Sequence, residues 1–336
     1  MRRSFVLVVV LSLSALGSIV GCGAKSEPRA KDGKPVVAFV TNNPYEFWTI
    51  ARRGTEKAAK EFDVTVDFQM PPRGTAAEQR SIIEDLLAKG IEGIAISPND
   101  SANQARFLKD VAARVPLVTQ DSDLPEGSGR LCYIGTENYE AGKGAGKLVR
   151  EAMPEGGKIV IYVGKMDAQN AIERRQGVLD ELAGTKGAEG PELGKYTLLD
   201  TMTDDAKQDK CKANVEDTLV KYGSEPNKLC LVGLWAYNPP AMLAAVKGAS
   251  LAGAVRIVGF DENEETLQGV QDGDIYGTIV QQPFEFGYHA VRILGAVARG
   301  DKSVIPENGI LYIPHREIKR DNVGPFWDEL KKLKAG

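Results

Sequence analysis

From Lys34 to Ile313 the chain alternates short apolar runs with stretches of helical periodicity, and this alternation narrows the possible folds more than any other feature. The apolar runs predict strands at 36–41, 64–69, 92–96, 116–120 and 131–134, then at 158–163, 196–202, 229–233, 255–260, 275–280 and 309–313. Between them the spacing predicts helices over 47–62, 75–89 and 101–113, then over 138–152, 169–183, 205–222, 239–248, 262–272 and 285–299. Near-continuous apolar strands interleaved with helices imply parallel sheets covered on both faces. At 336 residues the chain is too long for one such core, and roughly 150 residues per domain points to two. Two sheets of about five or six strands, meeting near Gly135, are expected. A short amphipathic stretch, Pro325 to Lys334, follows in the tail.

In sheets of this kind ligands sit just beyond the carboxyl ends of the strands. Four strands end on polar residues there. Arg256-Ile-Val-Gly-Phe-Asp261 ends on a carboxylate, as does Pro116-Leu-Val-Thr-Gln-Asp121, and Thr278-Ile-Val-Gln281 ends on an amide. Val36 to Val40 runs into Thr41-Asn-Asn43-Pro-Tyr-Glu-Phe47-Trp48. Flat rings suit the apolar C–H face of a sugar, and a buried carboxylate accepting from its hydroxyls makes bonds worth roughly 1.5–3 kcal/mol each. Arg174, in the first turns of helix 169–183, either is solvated or points a guanidinium fork at ligand oxygens. Asn238 begins a helix and can both cap it and face a ligand. Phe47 and Trp48 are read as a binding platform because Asn43 and Pro44 immediately precede them.

Catalytic and nucleotide-binding chemistry find little support. Gly142, Gly144 and Gly146 suggest a phosphate loop, but Ala141 and Leu148 stand where a Walker loop needs Gly and Ser or Thr, and Lys147 breaks a dinucleotide fingerprint. Small residues on one helix face are expected to permit close packing instead. The only histidines are His289 and His315, and no serine lies in a G-x-S-x-G elbow. The pairs Asp204-Asp205 and Glu264-Glu265 are expected as solvated acids at helix starts. The formal charge of -4 argues against a nucleic-acid partner. Without Arg2 and Arg3 the basic residues fall to 40 against 46 acidic ones, deepening it to -6.

The N-terminus has the layout of a targeting segment: Arg2 and Arg3, an apolar stretch from Phe5 to Leu16, then Gly17-Ser-Ile-Val-Gly21-Cys22. It resembles a bacterial lipoprotein signal, in which Cys22 becomes the lipidated first residue; an ordinary signal peptide or a short membrane anchor is the alternative. Lys25 to Lys34 is expected as a tether. Export permits a disulfide, and Cys211 with Cys230, on successive helix and strand, is the candidate pair; Cys132 is expected as a buried apolar residue. No cysteine or histidine spacing suggests a metal site.

Seven segments, in order, resemble the ribose-binding-protein family of periplasmic solute-binding proteins over nearly all of residues 35–318. They are Asn42 to Trp48, Ile96-Ser-Pro-Asn-Asp100, Val118-Thr-Gln-Asp121, Glu173 to Gly177, Asn238 opening a helix, Val258-Gly-Phe-Asp261, and Thr278-Ile-Val-Gln281 with Pro283. The resemblance implies an α/β fold of two doubly wound parallel-sheet lobes, joined by a three-strand hinge, that close on a monosaccharide or similar polyol. It divides the chain into a signal peptide (1–21), a tether (22–34), a first lobe (34–136 plus 282–310), a second lobe (137–281 plus 311–318) and a tail (319–336). The helix after Gln281 is expected to cross back to the first lobe, and the final strand to return to the second. The implied sugar contacts are Asn43, Phe47, Trp48, Asp121, Arg174, Asn238, Asp261 and Gln281, with no catalytic residue, metal or cofactor.

Departures from the family bear on specificity. Ser122 stands where family members commonly carry Arg, and Tyr45 and Glu46 are extra residues in the aromatic loop. Asp205-Ala206 replaces an expected aromatic, while Trp235 and Tyr237 add bulk nearby. Trp235, Tyr237, Ser122 and Asp205 are therefore secondary candidates. The implied partners are a sugar, the permease and ATPase of an ATP-binding-cassette (ABC) importer, and a chemoreceptor, with membrane attachment only through the lipid on a monomeric protein. Rival expectations are a receptor for a signalling furanose, a repressor-like effector domain (which would need an N-terminal helix-turn-helix) and a sugar-processing enzyme.

Overall fold

The computed structural model describes residues 33–335. The expected lipoprotein signal and Cys22 lie outside them, as does the tether up to Asp32. Two parallel sheets form. In the first, β1 (Val36–Val40), β2 (Thr65–Gln69), β3 (Gly93–Ile96), β4 (Leu117–Gln120) and β5 (Cys132–Gly135) run in the order 2-1-3-4-5, and β12 (Ile310–Tyr312) adds outside β5. In the second, β6 (Gly157–Val163), β8 (Tyr196–Thr203), β9 (Leu229–Gly233), β10 (Arg256–Phe260) and β11 (Gly277–Val280) run in the order 8-6-9-10-11. Two antiparallel edge strands complete it, β7 (Glu192–Leu193) beside β8 and β13 (Arg316–Lys319) beside β11. Each sheet is doubly wound, with its order reversing beside β1 and β6 respectively, and ligands collect at such switch points.

The helices fall close to their expected places: α1 (Phe47–Glu61), α2 (Ala76–Ala88), α3 (Ser101–Ala112), α4 (Asn138–Ala152), α5 (Gln169–Ala183), α6 (Gln208–Tyr222), α7 (Asn238–Gly248), α8 (Glu264–Asp272), α9 (Pro283–Ala298) and α10 (Val323–Ala335). None of the described helices is long and apolar enough to cross a membrane. Strand alternation sends Val37 and Phe39 toward α1 and α9, and Ala38 and Val40 toward α2 and α3. The chain passes between sheets three times, from β5 to α4, from β11 to α9, and from β12 to β13.

Glycines set two helix contacts. A Cβ on Gly142 would lie 2.1 Å from the carbonyl oxygen of Arg174, and one on Gly177 would lie 2.1 Å from that of Tyr139. The small residues of α4 thus serve close packing against α5, as expected, and that packing fixes where Arg174 sits. Between α1 and α9, Gly54 and Gly287 play the same part.

Two expectations fail. The strand at 309–313 does not return to the second lobe; β12 pairs in parallel with β5, and the returning strand is β13. Cys211 and Cys230 are both buried free thiols. Cys211 packs on the α6–α7 face of the second sheet with Leu229 and Leu231, whereas Cys230 points with Val232 to the α4–α5 face. A sheet separates them. Cys132 is a buried free thiol, and burial pushes it up to about 11.

Candidate functional site

Asp121 follows β4 and Asp261 follows β10, and both adopt a left-handed backbone, with φ of 62° and 65°. That conformation turns each carboxylate off its strand end and into the cleft. Asp121 Oδ2 accepts from Ser97 Oγ at 2.8 Å and from Asn42 Nδ2 at 3.3 Å. Asp261 Oδ1 accepts from Gln281 Nε2 at 2.9 Å, and the Asp261 carbonyl accepts from Thr278 Oγ1. Both carboxylates are buried, and burial pushes both above their ordinary range; the guanidinium of Arg174 pulls in the opposite direction.

Arg174 is 1% exposed on α5. Its Nε donates to Asn138 Oδ1 at 2.8 Å and its Nη1 to the Leu234 carbonyl at 2.9 Å, while its guanidinium lies 4.5 Å from the ring centre of Phe260. Among the described residues Nη2 has no hydrogen-bond partner; it lies 3.9 Å from Asp121 Oδ1, bridging the two lobes. Gln281 Oε1 and Asn170 Oδ1 are likewise buried without partners. Leaving such groups unpaired costs about 1–3 kcal/mol each, so the site is short of hydrogen-bonding partners.

These groups line one cavity of about 430 Å³, together with Asn42, Asn43, Tyr45, Phe47, Trp48, Trp235, Ala236 and Tyr237. Trp48 is held edge-on by Phe39 and Phe47, and its Nε1 donates to Asn42 Oδ1 at 2.9 Å. Asn43 Nδ2 donates to the same oxygen at 2.7 Å, and Asn43 Oδ1 accepts from the Tyr45 backbone N–H. Gly164 leaves room for the Trp235 ring, since a Cβ there would lie 2.0 Å from it.

Seven of the eight primary candidates meet in this cavity: Asn43, Phe47, Trp48, Asp121, Arg174, Asp261 and Gln281. Asn238 does not line it. It is fully buried, donating to Asp204 Oδ2 at 3.0 Å and accepting from the Trp235 N–H at 2.9 Å. Its partner Asp204 corrects a second expectation: it is a fully buried acid that also accepts from the Tyr237 hydroxyl, not a solvated one. Burial pushes Asp204 up, and its donors pull it down. Trp235 and Tyr237 reach the cavity, whereas Ser122 and Asp205 line a larger chamber outside it. His289 (on α9) and His315 do not line the cavity.

Asn42, Tyr45 and Asn170 are lining residues that the sequence reading passed over. Asn170 precedes Arg174 by four positions, one turn of the same helix face, which was a usable signal. Tyr45 crosses the cleft: its hydroxyl donates to the Ala206 carbonyl at 2.8 Å, and its ring lies 5.6 Å from that of Tyr237. Nothing local to the sequence announces that contact.

The cavity holds two carboxylates, one guanidinium, several amides and five aromatic rings, an arrangement that suits many hydroxyls and one apolar ring face. The profile described as "Periplasmic binding protein domain" matches residues 36–302. The ribose import binding protein of Salmonella typhimurium (strain LT2) is 27% identical over 302 residues, 88% of this chain and 93% of that protein. The D-allose-binding periplasmic protein of Escherichia coli (strain K12) is 28% identical over 302 residues, 86% of this chain and 92% of that one. The crystal structure of an ABC transporter solute-binding protein from Burkholderia graminis, in complex with D-arabinose, superimposes with a TM-score of 0.78 at 28% identity, covering 87% of this chain and 97% of its own.

Proposed function

Because the chain belongs to the periplasmic binding protein domain family, we propose that it is the sugar receptor of an ABC importer, binding a monosaccharide or similar polyol without chemistry. The ribose, allose and arabinose ligands of its relatives support a sugar. The observation that carries this function is the pair of buried carboxylates, Asp121 and Asp261, facing one cavity from opposite lobes, with Arg174 in the same lining and its Nη2 3.9 Å from Asp121 Oδ1. Ring hydroxyls donate to the carboxylates and accept from the guanidinium, while Phe47, Trp48 and Trp235 cover the C–H faces.

The mechanism is hinge closure. Residues 34–136 with 282–312 form one body and residues 137–281 with 313–319 the other, joined by the three crossings. A ligand touching both bodies binds the closed form better and shifts the population toward it, and a permease reads that form. Cys22 carries the lipid that tethers the exported monomer to the cell envelope.

Calorimetry against a panel of monosaccharides and polyols tests the site. Asp261→Ala weakens the best ligand by at least about tenfold, since a charge-assisted bond of roughly 1.5–3 kcal/mol is lost. Unchanged affinity in a folded variant would exclude Asp261 from the site.

A further inference from the structure

Outside the inner cavity, and sharing Asn42, Asn43, Tyr45, Asn170 and Trp235 with it as a common wall, lies a second chamber of about 1090 Å³. Its electrostatics are the reverse of the inner cavity's. Arg73, Lys165 and Lys207 line it against one acid, Asp205. Asp205 is already engaged by Lys210 at 2.8 Å, and Arg73 lies 3.6 Å from Glu78; Lys165 and Lys207 form no ion pair among the described residues.

Helix geometry adds to that charge. Thr75, Ala168 and Lys207, the residues preceding α2, α5 and α6, all line the chamber. Thr75 caps its helix by accepting from the Glu78 N–H, but Ala168 and Lys207 provide no side-chain cap. Two helices of 15 residues therefore bring uncapped N-terminal N–H groups, and the positive ends of their dipoles, to one space.

A separate observation points to a ligand. Ser122 lines the chamber and is only 2% exposed, and its buried hydroxyl has no hydrogen-bond partner among the described residues. The Asn99 Nδ2 and Trp235 Nε1 groups of the same lining are also buried and unpartnered. Each of the three has a hydrogen to give. Unpaired donors, two ammonium groups without an ion pair and two uncapped helix ends together favour a group that is negatively charged and accepts several hydrogen bonds.

We propose that this chamber receives an oxyanion substituent, phosphate or carboxylate, carried by a sugar whose ring occupies the inner cavity. This deepens the proposed function and rests on it. The polarity fixes the orientation: Asp121 and Asp261 repel an anion from the inner cavity, while their need for donors draws the hydroxyls in. The shared wall of Asn42, Asn170 and Trp235 is where the substituent leaves the ring.

Calorimetry on the full chain with matched sets tests it: ribose with ribose 5-phosphate; glucose with glucose 6-phosphate and glucuronate; galactose with galactose 6-phosphate and galacturonate. At least one charged sugar is expected to bind about tenfold or more tighter than its neutral parent, an advantage of the size that a few charge-assisted bonds supply. That advantage falls as salt rises and disappears in Lys165→Ala/Lys207→Ala. The phosphate and uronate arms identify the anion. Neutral parents binding as tightly as their charged counterparts would overturn the anion site and leave sugar binding standing. An advantage that survives in the double variant would also overturn it. Binding by no member of any set would remove sugar binding and the anion site together.

Discussion

Six non-glycine residues among those described have a left-handed backbone, and four of them, Asp121, Asp205, Ala206 and Asp261, lie at the cleft. Such conformations cost of order 1–3 kcal/mol each and gather where function requires them. Asp261 adds an electrostatic cost, because burial raises its carboxyl from 3.8 to about 6. A folded pKa above the unfolded one means that the native protein binds the proton more tightly, so this residue's ionisation lowers stability as pH rises through that window. Asp261→Asn keeps an oxygen for Gln281 and abolishes the titration. The ligand-free variant is expected to melt above the wild type at pH 7, with a shallower decline of melting temperature between pH 4 and about 6. An unchanged pH profile would place the titration elsewhere. Asp121, Asp261 and Gln281 were legible because each directly follows the last residue of a strand whose apolar pairs (Leu117-Val118, Ile257-Val258, Ile279-Val280) mark it in the sequence. Asn238 was not, because its neighbour Asp204 holds it inward, and a buried acid looks no different in sequence from an exposed one.

At the level of elements, Arg174 is placed by the glycines between α4 and α5. An added methyl at Gly177 would meet the Tyr139 carbonyl and the Lys143 N–H, at 2.1 and 2.7 Å. Neither group can move without its helix. Gly177→Ala is expected to cost roughly 1–3 kcal/mol in denaturant unfolding and to weaken ligand binding as well, since α5 must shift and Arg174 with it. Full stability with normal binding would show the packing to be slack. Most elements were readable from periodicity because buried parallel strands are nearly all apolar. Strand β13 escaped since it lies at an edge and contributes one buried apolar residue, Ile318, in Arg-Glu-Ile-Lys. The supposed Cys211–Cys230 pair failed for a related reason: closeness along the chain says nothing about which face of a strand a residue takes.

Over the whole molecule, the lobes are joined by apolar packing of Ile50, Tyr45 and Phe284 on the second lobe's core and by polar contacts across the cleft. Besides Arg174 and Asp121, Tyr45 bonds to Ala206, and Lys334 near the end of α10 pairs with Glu46 at 2.6 Å. Tyr45→Ala deletes the first of these clasps. Small-angle scattering of the ligand-free variant is expected to give a larger radius of gyration than the wild type, and its sugar affinity should fall about fivefold, in line with roughly 1 kcal/mol for a cross-lobe hydrogen bond. Identical scattering profiles would mean that the clasp does not hold the lobes. Two sheets meeting near Gly135 were legible from length and alternation, but the later crossings between them were legible only through the family resemblance, because periodicity cannot say which strands share a sheet. The three crossings also govern how the protein is made. The strand that finishes the first sheet, β12, and the helix that seals it, α9, come from residues 283–312, after nearly all of the second sheet. A chain leaving the ribosome therefore carries two unfinished cores until its final stretch emerges, and both cores mature together and late.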